Sequence, residues 1–472
     1  MNDDKKHELV IIGAGPGGYR AAFMAADLGL DVTLIDPEIN PGGVCLYRGC
    51  IPTKALLHLV KIKKDAEQAD DMGLSFKVSE VNIDKLRDWK SKVVKKLTGG
   101  LGQLVKARKI NYIKGTAEFA GSKKLLVKEE GKDKNEIAFE NTIIATGAKP
   151  INLPGIDTSD PRIMHSKESL DLENIPGKML VVGGGYIGLE MATIYQALNT
   201  EITVAELTGD FLPGTDKDLI SAYKKDSKGT FKEVYLETKV TKIEKKKKSL
   251  KVSFEDKKGK TFSKEYDKVL IAIGQKPNTE NLGLDNISVE CDEKGFIKVD
   301  AQQRTSEKHI FAIGDVAGAP LLAHKAHYEG RVAAEVIAGK KAANDTNVIP
   351  AVIYTEPEIA TCGLNEIQAK EKGIGYKTVK FPWQASGRAV AMNSGSGFTK
   401  LLVDPETERI LGAGIVGKNA GDMIPELALA MEMAATAEDV SLTIHPHPTL
   451  SETIMEAAEL YYGHPIHTFK RK

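Results

Sequence analysis

Cys45 and Cys50 lie in the stretch GGVCLYRGCIPTKALLHLV with four residues between them. That interval does not match a zinc Cys-x-x-Cys knuckle, and no second Cys/His pair lies nearby, so no metal site is expected. Two thiols this close suit reversible disulfide chemistry. Pro52 fits the first turn of a helix that carries Leu56, Leu57 and Val60. Cys50 then falls at or near the helix N-cap, where the positive end of the macrodipole favours a thiolate. Lys54, one turn in, adds positive charge. Cys50 therefore reads as the stabilised thiolate and Cys45 as the thiol that exchanges with substrate. Gly42 and Gly43 let the backbone pass close to a ligand. The remaining cysteines, Cys291 and Cys362, are isolated, and four in 472 residues do not make a secreted disulfide framework.

Thiol exchange needs a group that takes and gives a proton near neutral pH, and histidine does this best. The C-terminal run Thr443-Ile-His445-Pro-His447-Pro-Thr449-Leu-Ser-Glu452 offers two. His445 lies closer to the preceding helix and His447 closer to a helix beginning near Thr449. Glu452 has two readings on spacing alone. It could hold an imidazolium, or it could close a capping box with Thr449.

The elements that must position these groups are visible as an internal repeat. ELVIIGAGPGGYRAAFMAADLGLDVTLID reads strand, glycine turn, helix, strand, acid, and KMLVVGGGYIGLEMATIYQALNTEITVAE reads the same way. Gly13, Gly15 and Gly18 recur as Gly183, Gly185 and Gly188, and Asp36 recurs at the same interval as Glu206. The pattern predicts two βαβ dinucleotide-binding units, each with a pyrophosphate at its helix N-terminus. Glu206 should accept from a ribose 2′-hydroxyl. A carboxylate there repels a 2′-phosphate, so NAD is expected rather than NADP. HIFAIGD places Asp315 at a strand end, where α/β sheets bind ligands.

The length predicts about three domains. The first unit closes near Pro150, giving 1–150. The second unit gives 151–278, a central segment 279–348, and a C-terminal α+β region with an antiparallel sheet 349–472. The fold class expected is α/β, with two Rossmann-like units and a C-terminal α+β domain. Hydrophobic residues make up 42% and charged residues 28%, and Lys+Arg and Asp+Glu both total 65. That balance gives no reason to expect nucleic acid as a partner. Lys245–Lys248 reads as a solvated hairpin tip. No apolar stretch approaches the ~20 residues of a membrane span. The start MNDDKKHE does not resemble a signal peptide, and a cytoplasmic location is expected.

In order, the first glycine motif, GGxCxxxxC, the second glycine motif, AIGD and HPHPTxSE resemble the pyridine nucleotide–disulfide oxidoreductases over nearly the whole chain. Within that family YTEPEIATCG, FPWQASGRA and DVSLTIHPHPTLSE look most like the dihydrolipoamide dehydrogenase branch. The resemblance implies FAD against the first βαβ unit. Asp36 would bind the adenosine ribose, and Gly43, Lys54, Ala117, Asp315 and Ala323 would touch the flavin nucleotide. Gly183–Gly188, Glu206, Val240 and Ala272–Gln275, which include Gly274, would contact NAD. Lys54, paired with Glu190, would tune the flavin charge. His447 is implied as the acid–base group, with Glu452 orienting it, both supplied by the other subunit of a homodimer. The implied reaction oxidises dihydrolipoamide borne by lipoyl proteins of 2-oxoacid dehydrogenase or glycine cleavage complexes. Three positions depart from the family pattern: Tyr47 replaces asparagine, Thr53 a common serine, and Gln275 an arginine. Glutathione-type reductases, which use NADP, are disfavoured by Glu206. Mercuric and large thioredoxin reductases are disfavoured by a tail, YYGHPIHTFKRK, without cysteine. A flavoprotein that only docks in a complex would leave Cys45, Cys50 and His447 without a use.

Overall fold

The computed structural model describes residues 6–76 and 81–469. The chain falls into two compact units. The first comprises residues 1–55, 82–151 and 274–345; the second comprises 56–81, 152–273 and 346–472.

The first unit is built on parallel strands in the order Asn111–Gly121, Val32–Asp36, His7–Ile12, Lys134–Ile144, Ile310–Ala312. Strands buried on both faces must be apolar throughout rather than alternating. Leu9, Val10 and Ile11 are accordingly all fully buried. The helices Pro16–Asp27 and Ala323–Ile337 belong to this unit. They approach so closely that a Cβ on Gly330 would lie 2.6 Å from the Gly17 carbonyl oxygen. Asn111–Gly121 continues antiparallel through Lys124–Glu129 into Lys134–Ile144.

The second unit repeats the plan. Its parallel strands run Glu233–Tyr235, Glu201–Ala205, Lys178–Val182, Lys268–Ile271, Ile163–Met164. An antiparallel trio follows the same point in the order: Thr238–Lys245, Leu250–Asp256 and Thr261–Tyr266. The repeat thus extends beyond the two strands and helix legible in the sequence. The lysine run is the exposed tip of the first hairpin in that trio.

Also in this unit, Ala351–Ile353, Glu358–Gly363, Ile410–Gly417, Phe398–Val403 and Lys377–Pro382 form an antiparallel five-stranded sheet. The last of these strands was not foreseen, because KTVKFP is short and carries lysines. Helices Ala420–Glu432 and Glu452–Tyr462 cover the sheet around Trp383, Phe381, Leu401, Ile415 and Ile454. Among the described residues no helix is long and apolar enough to cross a membrane.

Candidate active site

The cysteine pair is created by a break between two helices. Cys45 lies on Gly43–Arg48, and Cys50 is the first residue of Cys50–Gln68. Gly49 joins them, and a Cβ there would sit 2.9 Å from the Val44 carbonyl oxygen. Only glycine lets the second helix start this close to the first. The Gly49 carbonyl in turn accepts from the Thr53 hydroxyl at 2.7 Å and the Thr53 N–H at 3.1 Å. Thr53 therefore makes the bond open to a serine at that position. Tyr47 folds back on its own loop, its hydroxyl donating to the Asn40 carbonyl at 3.0 Å.

Cys45 is half-buried, Cys50 exposed, and neither is in a disulfide. The two side chains hydrogen-bond each other, and the Cys50 backbone N–H donates to the Cys45 sulfur. The Cys45 thiol is held well above its ordinary range, first by that side-chain bond to Cys50 and then by burial, while Lys54 pulls the other way. The raised Cys45 thiol fits a proton shared within the pair, and the helix start at Cys50 favours a thiolate there.

The glycine turn lies against this segment. Gly42 N–H donates to the Ala14 carbonyl at 2.8 Å. Gly43 has φ +55°, and a Cβ on it would fall 2.5 Å from the Gly15 Cα. The helix Pro16–Asp27 has Gly15 as N-cap with no side-chain cap, and Tyr186–Ala197 has Gly185 in the same condition. The three glycines of each motif divide their work. Cβ atoms on Gly18 and Gly188 would strike the carbonyl oxygens of Gly13 and Gly183, at 1.9 and 2.1 Å. A Cβ on Gly185 would meet no described atom within 4 Å, and on Gly15 only Gly43 at 4.0 Å. The middle glycines are thus not required by packing. They leave an open cradle over uncapped N–H groups, which fits a pyrophosphate.

The two acids match each other in detail. Asp36 accepts from the N–H groups of Ala14 at 2.6 Å and Glu38 at 2.9 Å. Glu206 accepts from Gly184 N–H at 2.6 Å, and from the N–H and hydroxyl of Thr208 at 2.7 and 2.8 Å. Both are buried, and burial pushes Asp36 upward while its N–H donors partly restore it. Each carboxylate has about four lone-pair sites, so Asp36 and Glu206 both retain room for a ribose hydroxyl. This clamp on the glycine turn is a second role the spacing did not reveal.

Asp315 sits on the one-turn helix Gly314–Val316. Burial raises its carboxyl, and it accepts no hydrogen bond among the described residues. An orphaned, half-buried carboxylate fits a ligand hydroxyl. Ala117 is buried on Asn111–Gly121, and Ala323 opens Ala323–Ile337. Val240 is buried beside a bulge in Thr238–Lys245. Ala272 follows Lys268–Ile271, its N–H bonded to Val182 at 2.8 Å, and Gly274 has φ +125°. Glu190 is buried and accepts the Tyr354 N–H at 3.0 Å.

The two histidines part company. The His445 side chain is 4% exposed. Its nitrogens are both engaged, with Glu426 at 2.7 Å and the Thr443 carbonyl at 2.8 Å. The His447 side chain is 71% exposed, with Nδ1 2.9 Å from Glu452 Oε1. Its Nε2 has no hydrogen-bond partner among the described residues. Glu452 Oε2 takes the Thr449 N–H at 2.7 Å. Glu452 thus faces the imidazole with one oxygen and the Thr449 N–H with the other, but no full capping box forms, because the helix begins at Glu452 with Ser451 as its N-cap. Burial raises the Glu452 carboxyl, but Thr449 N–H and His447 outweigh it, and the net shift is downward. Glu426, the partner that withdraws His445, was missed because it lies on another helix.

Comparison with known proteins adds to this geometry. The chain is 48% identical to a dihydrolipoyl dehydrogenase of Vibrio cholerae over 464 residues, covering 98% of this chain and 97% of that one. It is 45% identical to a dihydrolipoyl dehydrogenase of Geobacillus stearothermophilus over 460 residues, covering 98% and 97%. Its structure is similar to that of RclA, an HOCl-induced flavoprotein disulfide reductase from Escherichia coli, with TM-score 0.85 and 28% identity over 97% of this chain and 99% of that one. It also shares its fold with LpdA from Mycobacterium tuberculosis, with TM-score 0.89 and 24% identity over 96% and 99%. The family model described as pyridine nucleotide-disulphide oxidoreductase matches residues 7–330, and the dimerisation-domain model of the same family matches 349–458. On the cysteine pair, the two dinucleotide cradles and these matches, the chain belongs to the pyridine nucleotide-disulphide oxidoreductase family.

Proposed function

We propose that the chain is a dihydrolipoyl dehydrogenase, which oxidises dihydrolipoamide carried on a partner protein and passes the electrons to NAD. The observation that carries this reading is the hydrogen-bonded cysteine pair, with Cys50 as the first residue of a helix. Near full-length relatives bearing that activity in their names support it.

The substrate dithiol loses a proton to His447 Nε2, and the resulting thiolate attacks Cys45 of the Cys45–Cys50 disulfide. Cys50 leaves as a thiolate stabilised by the helix start and Lys54. The second substrate thiol then attacks the substrate sulfur of the mixed disulfide, closing the substrate ring and releasing Cys45; the proton of that thiol passes to Cys45, and His447 keeps the first. Glu452 orients the ring throughout and stabilises its charged form. The two electrons now reside in the reduced pair. FAD, when bound, supplies the route by which they leave as hydride to NAD. Asp36, Gly15, Gly18, Gly43, Lys54, Ala117, Asp315 and Ala323 would hold FAD. Gly183, Gly185, Gly188, Glu206, Val240, Ala272 and Gly274 would hold NAD.

Residues 1–150 and 279–348 are assigned to FAD, 151–278 to NAD and 349–472 to the subunit interface. Leu429, Met433, Leu442 and Ile444 are 64–94% exposed on the segments around His447, and such an apolar set suits coverage by a second subunit. The partners proposed are a second copy and lipoyl-bearing proteins of 2-oxoacid dehydrogenase or glycine cleavage complexes. A turnover assay with free dihydrolipoamide tests the reading. NAD should be reduced and NADP should not. Reduction of glutathione disulfide by NADPH, with no activity on dihydrolipoamide, would refute it.

A further inference from the structure

The turn that carries Asp315 is held from beneath by a buried ion pair whose role nothing above assigns. Lys325 and Glu329 stand one turn apart on Ala323–Ile337, with side chains 9% and 5% exposed and Nζ 2.8 Å from Oε1. Each also grips the turn. Glu329 Oε2 accepts the Gly314 N–H at 2.7 Å, and Lys325 Nζ donates to the Gly318 carbonyl at 2.9 Å. The Gly314 carbonyl lies 3.5 Å from the same Nζ. Both ends of Gly314–Gly318 are therefore pinned to one helix face. Both end residues have positive φ, +73° and +125°, which favours glycine at each end. Asp315 lies between the pins with no hydrogen bond of its own. An isolated ion pair this deep is rarely retained for stability, since an apolar pair of similar volume often serves as well.

We infer that Lys325 and Glu329 are positioning residues of the flavin nucleotide site, acting through Asp315: they pin both ends of the turn that presents the Asp315 carboxyl to a ligand hydroxyl. This rests on the reading that Asp315 contacts FAD. The charge relation runs the expected way, since Lys325 lowers the Asp315 carboxyl against the effect of burial while Glu329 raises it.

The test is the rate of FAD release from the full-length holoenzyme, followed by flavin fluorescence after dilution. The variants are Glu329→Gln, Lys325→Met, Asp315→Asn and the double variants with Asp315→Asn. Glu329→Gln and Lys325→Met should each speed release by about tenfold or more, the scale of one hydrogen bond to a charged group. In the Asp315→Asn background neither should add a further increase. Increments that persist in that background would overturn the inference, because the pair would then act independently of Asp315. Release rates equal to wild type in both single variants would overturn it as well. Asp315→Asn with unchanged release would instead sink the reading that Asp315 binds FAD. If Lys325→Met does not fold, Lys325→Arg keeps the charge, and full retention of FAD by it is the expected rescue.

Discussion

Glu452 serves two partners, and the consequence is a pH dependence that belongs to a single residue. One oxygen faces His447 and the other closes the turn at Thr449. Its carboxyl lies below the ordinary value of 4.5. A depressed folded value means the stabilisation is present above that ordinary value and is lost as pH falls through the depressed one. Melting temperature measured down an acid series should therefore drop through that window. Glu452→Gln should flatten this part of the profile and lower kcat at neutral pH by about 10-fold or more, because the ring loses its ionic anchor. A steep acid transition retained in Glu452→Gln would assign it to other carboxylates. His447→Gln should cost about 10²–10⁴ in kcat, with the melting curve nearly unchanged because the ring is solvent-exposed. In the reduced protein the exposures of the two cysteines, taken alone, would point the other way from their proposed roles, since Cys50 is the more open. The place of Cys50 as the first residue of its helix, where a thiolate is stabilised, supports the proposed roles.

At the scale of elements, the glycine turns separate packing from binding. Gly188→Ala would drive a Cβ to 2.1 Å from the Gly183 carbonyl, whereas Gly185→Ala would enter open space at an ordinary extended backbone. Gly188→Ala should lower the melting temperature markedly. Gly185→Ala should leave it in place and raise KM for NAD with little change in kcat; equal behaviour of the two variants in both measurements would refute the cradle. These turns were legible because strand, glycine pattern, helix and acid are local and fix their own spacing. What lay beyond reach depended on contacts distant in sequence. The strand Lys377–Pro382 carries no clean alternation, and its place is set by pairing with Phe398–Val403. Spacing alone left His445 and His447 open and the family resemblance picked His447; the physical reason, Glu426 engaging His445, lies on another helix. The capping-box spacing at Thr449 and Glu452 yields only the bond from the Thr449 N–H, because the helix starts at Glu452 itself with Ser451 as its N-cap.

At the scale of the molecule, the proposed chemistry needs groups from both compact units: the cysteines from the first and the histidine dyad from the second. If the dyad comes from the opposite subunit, a Cys45→Ser homodimer and a His447→Gln homodimer should each be nearly inactive. Mixed dimers of the two should recover activity, with one intact site per dimer. Failure of every mixed preparation to recover, with subunit exchange verified by mass, would place cysteine and histidine in one chain. The zero formal net charge of the whole chain leaves solubility and partner choice to local surfaces rather than to a global field. The central claim is that Cys45 and Cys50 form one redox pair with Cys50 as the thiolate next to the flavin. The measurement is the long-wavelength absorbance of the FAD-loaded protein during anaerobic titration with dihydrolipoamide, for wild type, Cys45→Ser and Cys50→Ser. Wild type should develop a thiolate–flavin band on reduction, Cys45→Ser should show one without reduction, and Cys50→Ser should show none; a band that survives in Cys50→Ser would contradict the account.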